Sequence, residues 1–524
     1  MSGSLRTGCS KPACGDSSSG SVTRLRIVQV NTQDAGGGAA RVAQDLHQGL
    51  LRVGDESVFA VGFKRSNDDL ARQIDNTKYR NAWARFWLAA QSVLERTPVS
   101  FKGKGRLSPL LADLALPARA LAVRRGREYF GYPATWHSED WASSGQLLHL
   151  HNLHGDYFDL RALPMLTARY PTVLTLHDAW LLAGHCAHSF DCEKWRWGCG
   201  SCPDLSISPA IRRDGSAQNW RVKHSALTAS KLYVATPSRW LMDRVEASML
   251  ASAIVEARVI PNGVDLEVFR PQDKLKARAD LQLPADAPIL VFAAHGGRAN
   301  SWKDFSTIEE AAVQACLALR RQLVLVVIGG GSGSENRGDL RLRYVPHVGE
   351  REVLAKYLAA ADVFVHAAHA ENFSLALCES VACGTPAVSV RVGGVAEVVK
   401  DGTTGLLVDS GDVSSFARAL VVLLQDDALR DRMSKAASDY AARHLGLHRM
   451  VDDYRRWYQE ILCEAERSGG RSGGCESVLD CDTTHGLAPR CANLVDRGGR
   501  SAESADGEQR IDGLASGPSG ECSS

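Results

Sequence analysis

The chain has 524 residues, 44% of them apolar, and 61 Lys and Arg against 60 Asp and Glu give a net charge of +1. The length predicts two or three domains, and the charge balance argues against a nucleic-acid binder, which would carry a basic excess. No apolar run approaches the ~18 residues of a membrane-spanning helix, and the first 24 residues lack the apolar stretch of a signal peptide. We therefore expect a cytoplasmic protein whose 14 cysteines stay reduced.

Two series of short β-branched runs alternate with helical patterns along the chain, which is typical of parallel sheets with crossover helices. The strands predicted in the first series are Leu25–Val30, Ser57–Val61, Leu147–His151, Thr172–His177 and Leu232–Thr236. Those predicted in the second series are Ile289–Ala293, Leu323–Ile328, Asp362–His366, Ala387–Val390 and Gly405–Val408. The predicted fold class is α/β, with two Rossmann-like doubly wound domains facing a central cleft. Such sheets bind ligands beyond the carboxyl ends of their strands.

The composition also predicts where the domains begin and end. Residues 1–22 and 466–524 are rich in Gly, Ser and charged residues, so we expect disordered tails. The first domain is expected over residues 23–262 and the second over residues 263–445, because the Pro- and Gly-containing segment VIPNGVDLEVFRP separates the two series. An amphipathic helix is expected over residues 446–465.

A basic segment with an aromatic face interrupts the first series. Between residues 80 and 127 there are ten basic residues and two acidic ones, and Trp83, Phe86 and Trp87 fall at helical spacing. Such a face can lie on an anionic membrane surface. The alternative is that these aromatic side chains belong to the core of the first domain.

A cysteine-rich insertion is predicted over residues 185–203 of the first domain. It holds four cysteines within 17 residues, ending in a C-x-x-C pair: Cys186, Cys192, Cys199 and Cys202. This spacing suits a tetrahedral structural zinc, with His185 and His188 as substitute ligands. Two disulfides are the rival interpretation, which a reducing cytosol disfavours.

Several polar residues follow predicted strands and are therefore candidates for the cleft. Arg298 and Lys303 follow the strand Ile289–Ala293 and suit a diphosphate, although they could be surface charges. His177 follows another strand and could hydrogen-bond a sugar hydroxyl, although a core histidine is the commoner case. Gly37 and Gly38 lie in a turn that lets backbone amides approach an anion. The remaining candidates lie at the end of the strand Leu147–His151 or just after it, and they are His151, Asn152 and His154.

Two carboxylates eight residues apart mark the second domain. Glu371 lies in a strand-to-helix loop and Glu379 lies two turns into the following helix, so both can line one pocket. Ser374 can cap that helix, whose first backbone N–H groups then face the pocket. A solvated loop and a solvated helix face are the alternative.

The block from His366 to Val408 resembles the C-terminal half of the retaining GT-B glycosyltransferases of family 4. It carries their E-x7-E signature as Glu371 and Glu379, followed by A-x-G-T-P and GG-x-x-E-x-V runs. The resemblance extends over roughly residues 25–465, and the cysteine block is similar to one in a branch associated with bacterial exopolysaccharide and O-antigen assembly. The resemblance also implies that the helix over residues 446–465 crosses back to the first domain.

The resemblance implies a role for each candidate residue. Arg298 and Lys303 would hold the diphosphate of a sugar nucleotide, although Trp302 and Asp304 flank Lys303 where a Lys-Gly pair is commoner. Glu379 would bind the ribose, and Glu371 with the amides of residues 372–374 would position the donor sugar. The complete set of implied site residues is His177, Glu371, Arg298 and Lys303 in catalysis, and Gly37, Gly38, Asn372, Phe373, Ser374 and Glu379 in donor binding.

The function implied is transfer of a sugar from a nucleotide-diphosphate sugar to a lipid-linked or oligosaccharide acceptor in surface polysaccharide biosynthesis. No cofactor or metal is expected in the catalysis, because cations and helix dipoles would stabilise the leaving diphosphate. Two alternatives are a nucleotide-sugar- or glycan-binding protein without turnover, and a sugar-nucleotide 2-epimerase of the same fold.

Overall fold

The computed structural model describes residues 24–66, 68–97 and 103–468. The predicted disordered tails lie outside these residues, except that residues 466–468 continue the last helix. Among the helices of the described ranges, none combines the length and the apolar character needed to cross a bilayer.

The first lobe is built on seven parallel strands in the order β3-β2-β1-β4-β5-β6-β7. Its strands are β1 (Arg26–Gln33), β2 (Glu56–Phe63), β3 (Ala71–Gln73), β4 (Leu147–Leu150), β5 (Thr172–Thr175), β6 (Leu232–Thr236) and β7 (Ile254–Val259). Its helices are α1 (Gly38–Arg52), α2 (Ala82–Arg96), α3 (Lys104–Ala115), α4 (Pro117–Arg124), α5 (Leu163–Arg169), α6 (Ser216–Thr228) and α7 (Arg239–Glu246). The parallel pairing requires crossover connections, which the helices supply.

The second lobe has seven strands in the order β10-β11-β9-β8-β12-β13-β14, parallel except for β10 against β11. Its strands are β8 (Ile289–Ala293), β9 (Leu323–Ile328), β10 (Gly333–Arg337), β11 (Leu340–Val345), β12 (Val363–His366), β13 (Ala387–Val390) and β14 (Gly405–Val408). Its helices are α8 (Lys274–Asp280), α9 (Phe305–Leu319), α10 (Arg351–Ala360), α11 (Leu375–Ala382), α12 (Val395–Val398), α13 (Val413–Gln425) and α14 (Asp427–His444). The predicted class of two Rossmann-like α/β domains is confirmed.

The last helix, α15 (Leu447–Ser468), packs on the first lobe although it follows the second in the chain. Its apolar stripe is buried against α1 and the first sheet; the residues of this stripe are Met450, Tyr454, Trp457, Tyr458 and Ile461. Two hydroxyl groups fix the position of α15 along the first sheet. The Tyr458 hydroxyl hydrogen-bonds His149 Nδ1 of β4 at 2.6 Å, and the Tyr454 hydroxyl hydrogen-bonds Thr175 of β5 at 2.8 Å. The two lobes are therefore joined by α15 as well as by the segment before α8.

Helices α2, α3 and α4 leave most of their apolar side chains in solvent. Ala84, Ala115 and Ala120 are the buried residues of these three helices within the part that the structure describes. Trp83 is 57% exposed and Phe86 is 64% exposed. The alternative that the aromatic residues form the core of the first domain is therefore wrong for these two side chains.

Candidate active site

A cavity of about 700 Å³ lies between the two lobes. The first lobe contributes the glycine turn before α1, together with residues that follow β4 and β5. The second lobe contributes the loops after β8, β9 and β12 and the first turns of α10 and α11. Every contributing strand presents its carboxyl end, which is where open α/β sheets bind ligands.

Lys303 and Glu371 form an ion pair in this cavity. Lys303 Nζ donates to Glu371 Oε2 and also to His366 Nε2, the second bond being 3.2 Å long. Burial acts to raise the pKa of Glu371, but Lys303 and then His366 outweigh it and hold that pKa at about 2. Burial and the neighbouring Lys303 lower the pKa of His366. The loop after β12 therefore presents an ionised carboxylate and an ammonium side by side.

Two glycines keep the backbone of Glu371 in place. Gly393 has φ of 52°, and a Cβ there would lie 1.7 Å from the Glu371 carbonyl oxygen. Gly394 donates its backbone N–H to the same oxygen at 3.2 Å. Only a residue without a side chain permits this approach, so the Gly-Gly pair of the sequence motif shapes the loop that carries the carboxylate.

Helix α11 begins at the cavity and carries Glu379 inward. Ser374 caps it by accepting a hydrogen bond from the backbone N–H of Leu377 at 3.5 Å, and Asn372, Phe373 and Ser374 line the cavity just before the first turn. Its N–H groups and dipole favour a negative group at that end. The helix N-terminus thus lies beside Lys303 as a second source of positive potential.

Arg41 of α1 reaches across the cavity to Glu379. Its Nη1 lies 2.7 Å from Glu379 Oε1, and its guanidinium stacks over Phe269. Burial raises the pKa of Glu379 to about 7, against the opposing charges of Arg41 and then Arg351. Arg351, at the start of α10, pairs in turn with Asp45 of α1. The sequence motifs identified neither arginine, because both depend on how the lobes face one another.

Arg298 does not line the cavity, in contrast to the role that the resemblance implies. Its guanidinium donates to the Tyr344 hydroxyl at 3.0 Å, stacks over that ring and lies 3.9 Å from Glu335. These partners belong to the β10–β11 hairpin, which attracts the side chain away from the cleft. The cations that line the cavity in this structure are Lys303, Arg41 and Arg351.

His177 lines the first-lobe wall opposite Glu371 and Asn372. Its Nε2 bonds His151 Nδ1 at 3.1 Å, and its carbonyl accepts from Asn372 Nδ2 at 2.8 Å across the cleft. Burial lowers the pKa of His177 to about 4, which makes the ring neutral at pH 7. The ring can therefore exchange hydrogen bonds with a sugar without carrying a charge.

The other predicted residues of this wall take different places. Gly37, Gly38 and Asn152 line the cavity. His151 lies buried behind His177, so the prediction that it lines the cleft is wrong. His154 bonds Asp178 at 3.0 Å and is not among the lining residues. Asp178 does line the cavity, although nothing in the sequence indicated it as a site residue.

Glu397 joins the lobes beside the cavity. Its carboxylate accepts hydrogen bonds from the backbone N–H groups of Arg239 and Trp240, at 2.8 and 2.9 Å. These two residues are the first of α7. A carboxylate at a helix N-terminus is stabilised by the orphan N–H groups there. A residue of the second lobe thus caps a helix of the first.

The four cysteines of the insertion surround a second, small cavity of about 20 Å³ together with His185. All four are free thiols, and burial raises the pKa of Cys186 to about 12. His185 Nε2 lies 3.4 Å from Cys202 Sγ, and Gly184 N donates to Cys199 Sγ at 3.2 Å. The donor types suit zinc, but the described part of the chain contains no group of three or more His, Cys, Asp or Glu arranged to hold a metal ion.

The two histidines of the insertion lie on opposite sides of it. His185 faces the thiols, whereas His188 lines the large cavity. Burial lowers the pKa of His188 to about 4, with Arg244 acting in the same direction and Glu371 opposing it. His188, a candidate substitute zinc ligand from its position in the sequence, thus lies in the cleft instead.

The second lobe is similar to a known family of enzymes. Residues 273–440 match the family profile described as "Glycosyl transferases group 1". D-inositol 3-phosphate glycosyltransferase from Nocardioides sp. is 33% identical over 297 residues, which cover 51% of this chain and 64% of that protein. The same enzyme from Stackebrandtia nassauensis is 38% identical over 232 residues, covering 41% and 51%. The chain thus spans between about half and two thirds of these relatives.

Solved structures share the fold of both lobes. Sucrose-phosphate synthase from Thermosynechococcus elongatus superposes with a TM-score of 0.54 at 20% identity, covering 84% of this chain and all of that one. Anabaena HepE in complex with UDP superposes with a TM-score of 0.52 at 16% identity, covering 83% of this chain and all of that one. The architecture is that of the GT-B glycosyltransferases.

Proposed function

We propose that this chain is a retaining glycosyltransferase that moves a sugar from a nucleotide diphosphate to a hydroxyl of a lipid-linked or oligosaccharide acceptor. The observation that carries the proposal is the convergence of Lys303, Glu371, Glu379 and the start of α11 on one interlobe cavity. The match of residues 273–440 to the group 1 glycosyltransferases supports it.

Each residue of the cavity has a task in this proposal. Lys303 and the N–H groups of α11 stabilise the negative charge that grows on the departing diphosphate. Glu371 positions the sugar through its carboxylate and the adjoining backbone, and Glu379 accepts from the ribose hydroxyls. Since Arg41 holds Glu379 in this structure, ribose binding requires Arg41 to move or to share that carboxylate. His177 contacts the sugar from the first lobe.

The donor is identified by a thermal-shift screen of sugar nucleotides, because a ligand at ~100 times its dissociation constant stabilises a protein by about 2.7 kcal/mol. Radiolabelled donor and a lipid or sugar acceptor then test transfer. Release of the nucleotide diphosphate only when acceptor is present supports the proposal. A binding protein would leave the donor intact, and a 2-epimerase would isomerise it without acceptor.

The acceptor proposal rests on the exposed face of α2, α3 and α4. Its apolar members are Trp83, Phe86, Val93, Leu107, Leu110, Leu114, Leu121 and Val123. The same helices carry basic side chains, including Arg85, Arg106 and Arg124. Apolar side chains can enter the membrane–water interface, and cations can contact anionic lipid headgroups. Together these two features favour peripheral binding of the protein to a membrane. A lobe held at a membrane suits an acceptor that carries a lipid.

Membrane contact is tested with vesicles. We expect the protein to sediment with phosphatidylglycerol-containing vesicles and less with phosphatidylcholine alone, in a salt-sensitive manner. Replacing both Trp83 and Phe86 by alanine should weaken this binding at least tenfold, because keeping ~55 Å² of apolar surface out of the interface, at ~25 cal/mol per Å², already corresponds to a factor of ten. Leu275→Ala, at a 65% exposed position of the second lobe, is the matched control. Equal binding by both variants would contradict the proposal.

A structural zinc bound by Cys186, Cys192, Cys199 and Cys202 stays a prediction from the sequence. If it is right, elemental analysis of protein purified without chelator finds about one zinc per chain, and replacing Cys199 and Cys202 by serine removes it. Zinc below a tenth of an equivalent in freshly purified protein would count against it.

A further inference from the structure

The cysteine-rich insertion reaches the large cavity through one polar side chain. Ala187 and His188 line the cleft, whereas the thiols that flank them in sequence face the small second cavity. The insertion therefore has an inner side, which the thiols occupy, and an outer side that forms part of the cleft wall. Nothing in the group 1 profile, which matches residues 273–440, assigns a role to this wall.

The His188 ring is held in one orientation by two contacts. It stacks on Trp240 with ring centroids 5.4 Å apart and planes 7° from parallel. The backbone N–H of Phe190 donates to His188 Nδ1 at 3.1 Å. Because Nδ1 accepts this bond, the proton of the neutral ring lies on Nε2. Within the described part of the chain no hydrogen bond to Nε2 is formed, so that N–H is available as a donor in the cavity.

The same insertion contacts the opposite lobe beside the donor-binding residues. Phe190 stacks on Trp302 with centroids 6.0 Å apart and planes 7° from parallel. Trp302 is the neighbour of Lys303 in sequence, and both line the cavity or its edge. His188 therefore faces the place where the sugar of a nucleotide sugar would lie.

We infer that His188 is a sugar-binding residue that donates a hydrogen bond from Nε2 to a hydroxyl of the transferred sugar. The inference rests on the proposed function, since it presumes that a nucleotide sugar occupies the cavity. It adds a first-lobe contact that depends on the cysteine-rich insertion. The stacked Trp240 and the Phe190 N–H fix the donor before the substrate arrives, which reduces the entropy lost on binding.

The test compares sugar nucleotides with the nucleotides alone. Calorimetric titrations use UDP-glucose, UDP-N-acetylglucosamine and GDP-mannose, each beside UDP or GDP. We expect His188→Ala to weaken the best-bound sugar nucleotide three- to tenfold, the effect of one hydrogen bond, while affinity for the free nucleotide changes less than twofold. His188→Gln retains an N–H donor and should recover most of the loss. His137→Ala, at a partly exposed histidine elsewhere in the first lobe, is the control.

Two results would overturn the inference while leaving the proposed function standing. One is unchanged sugar-nucleotide affinity in His188→Ala. The other is an equal loss for sugar nucleotide and free nucleotide, which would indicate a general structural effect; the urea midpoint of each variant reports its folding. If the wild-type protein binds neither these three nor any other sugar nucleotide of the thermal-shift screen, the proposed function fails, and this inference fails with it.

Discussion

Replacing Lys303 by alanine should lower kcat/KM for sugar transfer by about 10²–10³-fold, the range found when a preorganised charge-stabilising donor is removed. Lys303 is the cation nearest to Glu371 and is largely buried, with 16% of its side chain exposed. Its ammonium group therefore acts where water screens little. The measurement is release of the nucleotide diphosphate from the donor found in the screen, with circular dichroism to verify that the variant folds.

Arg298→Ala provides the matched control for this prediction, because both cations lie in the loop after β8. Arg298 is 54% exposed in its side chain and contacts Tyr344 instead of the cavity. We expect it to keep kcat/KM within about twofold, because surface contacts of this kind contribute little. A loss as large as that of Lys303→Ala would mean that Arg298 turns into the cleft when the donor binds.

Replacing Lys223 by methionine should lower the free energy of unfolding by about 3–5 kcal/mol, because it leaves a buried carboxylate without its partner. Lys223 is fully buried, and its Nζ lies 3.1 Å from Glu128 Oε1. The ammonium also donates to the carbonyls of Trp180 and Ala183 at 2.9 Å each and lies 3.7 Å from the centre of the Trp180 ring. Burial lowers the pKa of Lys223 and raises that of Glu128.

Urea unfolding at pH 7 measures this effect. Arg391→Met is the control, because Arg391 and Asp401 form an ion pair 2.7 Å apart in which both side chains are nearly half exposed. Such surface pairs contribute about 0–1 kcal/mol. Adding Glu128→Gln to Lys223→Met should recover part of the loss, since the amide carries no charge. Equal midpoints for Lys223→Met and Arg391→Met would contradict the account of this buried pair.

The strands that sequence patterns predict well are those buried on both faces. Leu323–Ile328 and Ile289–Ala293 were predicted with the bounds that the structure has, because an unbroken β-branched and apolar run fits only a central strand. Four strands were missed, namely β3, β7, β10 and β11. Strand β10 (Gly333–Arg337) is polar and largely exposed at the edge of its sheet, so no apolar alternation marks it. A polar edge strand of this kind buries few side chains and leaves little periodic hydrophobicity in the sequence.

The second-lobe half of the site could be predicted because its residues lie close in sequence. Glu371, Ser374 and Glu379 share one loop and helix, and local geometry alone brings them together. Arg41 could not be found in that way, since its contact with Glu379 exists only once α1 faces α11 across the cleft. The position of Arg298 depended on the hairpin that carries Tyr344, which the sequence analysis had missed.

A crystal structure with the donor bound would show whether the interlobe cavity is the donor site. We predict a diphosphate within hydrogen-bond reach of Lys303 and the first N–H groups of α11, with the ribose against Glu379 and the sugar between Glu371 and the first-lobe wall. A nucleotide sugar bound outside the interlobe cavity, with the Lys303–Glu371 pair untouched, would contradict it.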